Sequence, residues 1–201
     1  MSVVEIPQPQ RNPQVTRVPS KELYTYDELC LIMEESNQPH ELWDGELIMA
    51  PAPFWNHQQI SFRVGMALFS WVNKHELGEV AMAPIDMVLS PHQLVQPDVV
   101  FISKNRLHIV QGTIRGAADL VVEVISPGGR QRDRIDKKDL YEQHGIKEYW
   151  IIDPESQSVD VYHLEESRQY ALSGRFLKNE TAASRLLEGF QLNVRFILDG
   201  K

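Results

Sequence analysis

Short apolar runs and one long amphipathic segment dominate the hydrophobic pattern of the chain. The runs lie within residues 96–102, which are apolar after Asp98, and within 120–125 and 148–152. Apolar runs of this kind are typical of strands buried on both faces of a sheet. Between residues 57 and 74 apolar side chains recur at helical spacing, which predicts a helix, capped by Asn56, with one face packed on that sheet. Together these elements predict an α/β domain with a central mixed β-sheet flanked by helices.

Local signals near the start of the chain predict two shorter elements. Residues 25–28 read TYDE, a capping box that begins a helix over residues 26–35. Cys30 lies beside the apolar face of this helix, which indicates a small core residue rather than a catalytic thiol. The pair Asp44-Gly45 stands between two short apolar stretches and predicts a tight hairpin turn.

The remaining pattern predicts further strands around the central ones. Residues 78–89 read as a strand in which Pro84 marks a bulge or a break. Residues 159–164 and 169–172 are expected to pair as a hairpin, and the alternation over 190–197 is typical of a last strand. The sheet is therefore expected to carry extra C-terminal strands.

Length and composition indicate one globular domain. The chain has 201 residues, of which 42% are hydrophobic and 24% charged. Residues 1–20 contain four prolines and little apolar pattern, so we expect a disordered arm there and a single domain over residues 21–201. The lone cysteine excludes disulfide scaffolds and cysteine-based zinc sites. No membrane-spanning run or signal peptide is evident, and a cytoplasmic protein without membrane contacts is expected.

Glu123 is the first candidate for chemistry because it interrupts the apolar run 120–125. A buried carboxylate is costly unless a cation pairs with it. Asp98 lies at the entry of the preceding central strand, and carboxylates on neighbouring strands suit Mg²⁺ or Mn²⁺, which prefer oxygen ligands. The carbonyl of Val124 could supply a third oxygen. Two acids on strands are common, so this spacing alone is a weak signal.

The charged segment after Glu123 predicts a helix that ends at Gly145. Asp133, Lys137 and Tyr141 share one face of it, from which Lys137 could reach Glu123 and stabilise charge on a phosphate. An exposed Asp133–Lys137 surface pair is the alternative interpretation. Lys138 points about 100° away around the helix and is expected to face solvent.

A local basic patch opens the same segment, although the net charge of the whole chain is −8. Arg130, Arg132 and Arg134 are the candidate contacts to a DNA backbone. A solvated, charged helix face explains these residues nearly as well.

These residues together resemble the Uma-two family of putative restriction endonucleases, within the PD-(D/E)XK nuclease superfamily. The resemblance covers roughly residues 25–197 and rests on Pro97-Asp98, Glu123-Val124-Ile125-Ser126-Pro127, Asp133, Lys137, Tyr141, Gly145 and the segment 148–154. An upstream part of the motif comprises residues 41–46, Pro51, Pro53, His57 and Gln58.

The resemblance implies a restriction-endonuclease-like core and Mg²⁺- or Mn²⁺-dependent hydrolysis of DNA without an organic cofactor. Asp98 and Glu123 would be metal ligands, and Glu41 a further acid at the site. The usual superfamily lysine is missing, because Ile125 stands two residues after Glu123. In the family pattern a lysine of the following helix substitutes for it, which corresponds to Lys137.

His57 and Tyr141 are candidates for supporting positions beside this site. His57 at a helix start is more often a surface residue, and Glu41 and Glu46 would otherwise be solvated strand residues. A homodimer is expected because a DNA duplex has two strands to cut. The alternatives to a nuclease are a DNA-binding or regulatory module that has lost the reaction, and a structural protein that self-associates through its terminal strands.

Overall fold

A computed structural model describes residues 23–32, 39–49, 52–126 and 132–200 of the chain. The predicted arm at residues 1–20 and the end of the predicted helix 26–35 lie outside these ranges. None of the helices in the described ranges is long and apolar enough to span a membrane.

The described chain contains four α-helices and thirteen strands. The α-helices are α1 (Tyr26–Ile32), α2 (Trp55–Lys74), α3 (Lys137–Gln143) and α4 (Val194–Asp199). The strands are β1 (His40–Trp43), β2 (Glu46–Met49), β3 (Gly78–Met82), β4 (Met87–Ser90), β5 (Gln93–Val95), β6 (Val99–Ser103), β7 (Ile114–Arg115), β8 (Leu120–Val124), β9 (Glu148–Asp153), β10 (Ser158–Leu164), β11 (Tyr170–Leu177), β12 (Thr181–Ala183) and β13 (Gln191–Asn193). A 3₁₀ helix covers Lys104–Ile109, and a π-helical turn, Arg132–Asp136, leads directly into α3.

Six strands form the central sheet, in the order β11-β10-β9-β8-β6-β3. The three apolar runs supply its central strands, and β8 and β9 are buried along their whole length. β8 runs parallel to β9 and antiparallel to β6, so the predicted mixed sheet is confirmed. The β10–β11 hairpin is also confirmed, and it extends one edge of the sheet.

Helix α2 covers one face of the central sheet with the apolar stripe that its period predicts. Ile60, Val64 and Leu68 are fully buried there against the core residues of β6, β8 and β9. The predicted cap is wrong, because α2 begins one residue before Asn56, and Phe54 in the cap position makes no side-chain hydrogen bond.

A second sheet and helix α3 cover the opposite face, where Tyr141 and Ile151 belong to one buried cluster. This sheet has the order β2-β1-β5-β4-β7. Its β1–β2 hairpin turns at the predicted Asp44-Gly45, both with positive φ (50° and 87°), the conformation that such a tight turn requires. The predicted strand 78–89 is divided at Pro84, since β3 pairs in the central sheet and β4 in the second one.

Two further expectations from the sequence are wrong. Cys30 is exposed on α1, whose buried residues are Tyr26 and Leu29. The segment 190–197 is a three-residue strand followed by α4, because the Asn193 side chain accepts a 2.9 Å hydrogen bond from the Phe196 amide and begins a helix.

Asp119, just before β8, is expected to make unfolding pH-dependent. Its side chain is fully buried and accepts hydrogen bonds from Lys147, Ser103 and Arg106. Burial raises the pKa of the Asp119 carboxyl, but these donors outweigh burial and lower it from 3.8 to about 2. A group with a depressed folded-state pKa stabilises the protein above its unfolded pKa, so about 2 kcal/mol is lost as pH falls from about 4 to about 2.

Urea unfolding across this pH range measures the effect. The side chain of Asn in Asp119→Asn does not titrate. Between about pH 4 and about pH 2 the variant is therefore expected to lose about 2 kcal/mol less unfolding free energy than the wild type. Identical pH slopes for the two proteins would contradict the assignment.

Candidate active site

Asp98 immediately precedes β6, and Glu123 lies on the adjacent strand β8. β6 and β8 pair with Val99 opposite Val122, and one further step of this register sets Asp98 opposite Glu123. The Val124 amide donates a 2.7 Å hydrogen bond to Oδ2 of Asp98, which joins the Asp98 side chain to the backbone next to Glu123. The Glu123 carboxylate faces α3, whose Lys137 and Tyr141 side chains contact it.

Lys137, the first residue of α3, reaches these acids. Its Nζ lies 2.9 Å from Oε1 of Glu123 and 3.1 Å from Oε1 of Glu41. The lysine side chain is only 7% exposed, so the interpretation as an exposed surface pair is wrong. One ammonium group therefore joins the central sheet, which carries Glu123, to the second sheet, which carries Glu41.

Glu41 is buried on β1, which contradicts its interpretation as a solvated strand residue; Glu46, across the hairpin, is exposed. The Trp43 indole donates a 3.0 Å hydrogen bond to Oε2 of Glu41. Burial raises the pKa of the Glu41 carboxyl, but Lys137 and this hydrogen bond outweigh it and hold the pKa below its usual value. Glu41 is therefore ionised at neutral pH and holds the lysine ammonium in place.

Tyr141 stands one helical turn after Lys137 and touches the same acid. Its hydroxyl donates a 2.6 Å hydrogen bond to Oε1 of Glu123. Burial, and next the charge of Glu123, raise the pKa of Tyr141 well above 10, so the phenol remains a neutral donor. Glu123 is thus oriented by two donors from one face of α3, the face on which the sequence places both.

His57 contacts the other acid. It lies in the first turn of α2, and its Nε2 is 3.2 Å from Oδ2 of Asp98. Both side chains are mostly buried. The surface interpretation of His57 is therefore wrong. Its imidazole can orient the Asp98 carboxylate from the first turn of α2.

Comparison with known proteins identifies the family of the chain. The sequence model of the Uma2 family, described as "Putative restriction endonuclease", matches residues 23–195. The chain belongs to the Uma2 family. A comparison with curated proteins finds no match.

Solved structures confirm the fold class. The chain is similar to a putative nuclease belonging to DUF820 from Anabaena variabilis ATCC 29413, with a TM-score of 0.72 and 20% identity over 87% of this chain and 97% of that one. The type IIG restriction endonuclease BpuSI gives a TM-score of 0.42 and 14% identity over 76% of this chain and 18% of that one, a similarity too low to carry an argument. The α/β fold with mixed sheets is thus shared with the DUF820 protein.

A divalent metal fits this Uma2 site by its donor chemistry. Within residues 23–32, 39–49, 52–126 and 132–200, no group of three or more His, Cys, Asp and Glu side chains is arranged to hold an ion. Mg²⁺ needs only one or two carboxylates, because water and substrate phosphate complete its shell. Asp98 and Glu123, with the carbonyl of Val124, offer the hard oxygen atoms that such an ion requires.

The predicted basic patch is only partly described. Arg130 and the side chain of Arg132 lie outside the described part of the chain. Arg134 points into the protein, where its guanidinium lies 3.0 Å from Asp153 and 2.7 Å from the fully buried Asp160. Its predicted role as a DNA contact would require breaking both ion pairs.

Lys138 also departs from the sequence interpretation. Instead of extending into solvent, its Nζ lies over the ring of Tyr162, 5.3 Å from the centroid, and 5.9 Å from the centroid of Tyr170. These contacts are of the cation–π type and leave Lys138 away from the acids that Lys137 binds.

Sequence reasoning missed Asp153 and Asp160, the two carboxylates that bind Arg134 just before α3. Asp160 accepts from both Arg134 and Arg175, and Asp153 lies at the end of β9 beside it. An aspartate inside the apolar stretch of β10 was the available signal, and it follows the same logic that singled out Glu123.

Arg134→Met is expected to destabilise the protein by about 3 kcal/mol, because it leaves the buried Asp153 and Asp160 with a partner missing. The guanidinium is 23% exposed, so solvent screens it only partly. Urea unfolding measures the loss, and Lys178→Met, which removes a more exposed surface pair with Asp199, is the control. A variant as stable as wild type, with weaker and less salt-dependent DNA binding, would restore the DNA-contact role.

Proposed function

We propose that this protein is a metal-dependent endonuclease that hydrolyses DNA phosphodiester bonds. The observation that carries the proposal is the position of Lys137, buried 2.9 Å from Glu123 and 3.1 Å from Glu41. The strand that carries Glu123 has Ile125 in place of the usual lysine, and Lys137 supplies a lysine beside the proposed metal-binding acid. Membership in a family described as putative restriction endonucleases supports the same conclusion.

Ile125 explains why the lysine comes from a helix. It follows Glu123 by two residues and is buried, with its apolar side chain in the cluster that packs under α3. A lysine there would have to leave its ammonium among apolar side chains or bend toward the strand end. Lys137 of α3 places the same positive charge beside Glu123. The site therefore has a lysine although the strand motif lacks one.

Each side chain then has a defined task in the proposed reaction. Asp98, Glu123 and the Val124 carbonyl would hold Mg²⁺ or Mn²⁺, which when bound lowers the pKa of a coordinated water and offsets phosphate charge. Lys137 would orient the attacking water and stabilise negative charge that develops on the phosphate. Glu41 and Tyr141 keep Lys137 and Glu123 in position, and we propose Arg130 and Arg132 as contacts to the DNA backbone.

Cleavage of plasmid DNA tests the proposal directly. Wild-type protein, Asp98→Ala and Lys137→Ala are incubated with plasmid in the presence of Mg²⁺ or Mn²⁺. We expect nicked and linear products from the wild type and almost none from either variant. Equal residual cleavage by all three proteins would mean that the activity comes from a contaminant and would sink the proposal.

A DNA-binding module without catalysis is the second candidate. One observation favours it: Lys137 offsets the charge of Glu123 and Tyr141 donates a hydrogen bond to it, so this buried acid does not require a metal ion for its stability. Calorimetric titration distinguishes the two candidates, because a module that has lost the reaction would bind DNA without binding Mn²⁺.

We further propose that the nuclease acts as a homodimer, since two copies place one site on each strand of a duplex. Sedimentation with and without duplex DNA tests this. A monomer in both conditions would contradict it and would also exclude self-association as a structural role.

A further inference from the structure

A small cleft borders the candidate site on the side of α2. His57, which contacts Asp98, lines one end of it, and Ile125 and Ser126 extend it from β8. Phe54 forms a wall of the cleft although its ring is 68% exposed, and Pro154 belongs to the same lining. The cleft therefore has apolar walls and adjoins the candidate site through His57, which contacts Asp98.

Polar groups at the rim limit what the cleft can hold. Asn56, Ser126 and Glu155 offer hydrogen-bonding atoms beside the apolar walls. The buried Asp153, whose carboxylate is paired with Arg134, also belongs to the lining. The volume of about 160 Å³ is well below the roughly 300 to 1,000 Å³ of clefts for drug-sized ligands. A single neutral ring with a hydrogen-bonding edge fits these limits.

We propose that this cleft binds one unpaired nucleobase of the DNA strand that is cut, with Phe54 stacking on its face. Base rings stack on aromatic side chains whatever their sequence, and their exocyclic amino groups donate to carboxylates such as Glu155. A base whose edge faces Asn56, Ser126 and Glu155 cannot pair with a complementary strand at the same time. The substrate class is therefore DNA with an unpaired nucleotide next to the cut, and this assignment rests on the proposed nuclease function.

Binding measured without added metal tests the assignment separately from cleavage. The probe is a short single-stranded oligodeoxynucleotide with one 2-aminopurine, whose fluorescence falls when the base stacks. We expect quenching by the wild type, and about tenfold weaker binding and no quenching for Phe54→Ala. Phe54→Trp keeps an aromatic face and is expected to restore both signals.

Phe62→Ala is the matched control, because Phe62 is 54% exposed on α2 but does not line the cleft. It should bind the probe as the wild type does, and a fully paired duplex should bind more weakly than the single strand to the wild type. Equal binding and quenching by wild type and Phe54→Ala would overturn the assignment, as would equal losses in the two alanine variants. Intact stacking without metal-dependent cleavage would instead defeat only the proposed nuclease function.

Discussion

Replacing Lys137 with methionine is expected to lower the rate of Mn²⁺-dependent DNA cleavage at least about 100-fold. Methionine keeps much of the apolar stem but removes the ammonium that lies 2.9 Å from Glu123 and 3.1 Å from Glu41. The negative charge that develops on the phosphate in the transition state then loses the stabilising ammonium of Lys137, which is buried away from water. Single-turnover cleavage with saturating protein measures this step without a contribution from DNA affinity.

The same substitution is expected to reduce the pH dependence of stability. In the wild type the pKa of Glu41 is lowered from 4.5, so its contribution is present above that pH and is lost as pH falls further. Lys137 is one of the groups that lower the pKa of Glu41, so the variant should lose less stability than the wild type as pH falls below 4.5. At neutral pH the variant is expected to be about 3 to 5 kcal/mol less stable than wild type.

Lys138→Met is the matched control, because it makes the same chemical change at the next position of α3. Lys138 lies over the Tyr162 ring and contacts neither acid of the site in the described contacts. It should cleave as the wild type does and keep the wild-type pH profile of unfolding. Similar losses of cleavage in both methionine variants would show that only the charge of the helix matters, and would contradict a specific role for Lys137.

Asp98→Asn is expected to weaken Mn²⁺ binding at least about 100-fold, more than the loss of an outer hydrogen-bond partner usually does. The amide keeps the size of the carboxylate, and its oxygen can still accept the 2.7 Å hydrogen bond from the Val124 amide. The fold should therefore survive while a charged oxygen ligand is lost. Isothermal titration with Mn²⁺ measures the affinity.

The control for this change is Asp139→Asn, which removes one negative charge from an exposed position of α3. Its Mn²⁺ affinity should equal that of the wild type. If Asp98→Asn also binds Mn²⁺ with unchanged affinity, Asp98 is not a ligand and the proposed arrangement of the metal is wrong.

The local hydrophobic pattern was sufficient to predict secondary structure and burial where these depend on spacing within one element. The run 120–125 contains β8, and the helical period after Asn56 matches the buried stripe of α2. The segment 190–197 shows where local pattern fails. Alternation fits β13 up to Asn193, but that residue caps a helix, and the buried Val194 and Ile197 then follow helical spacing.

Site residues divide in the same way. Glu123 stands out within its strand, and Lys137 and Tyr141 share a helix face, so their grouping follows from the chain's local geometry. The partner of Arg134 could not be found in this way. Whether an arginine at a helix start meets solvent, DNA or buried aspartates depends on where β9 and β10 pass beneath it.

The sequence by itself determined the central strands, the long helix, the family and the acid that needs a partner. These properties depend on side-chain type and on spacing within one element, where the backbone repeat sets the geometry. Only the tertiary structure decided that Glu41, 82 residues before Glu123 along the chain, shares the ammonium of Lys137 with it. That contact requires two sheets and a helix to pack together, and buried charge is stable there only because packing brings the opposite charge within hydrogen-bonding distance.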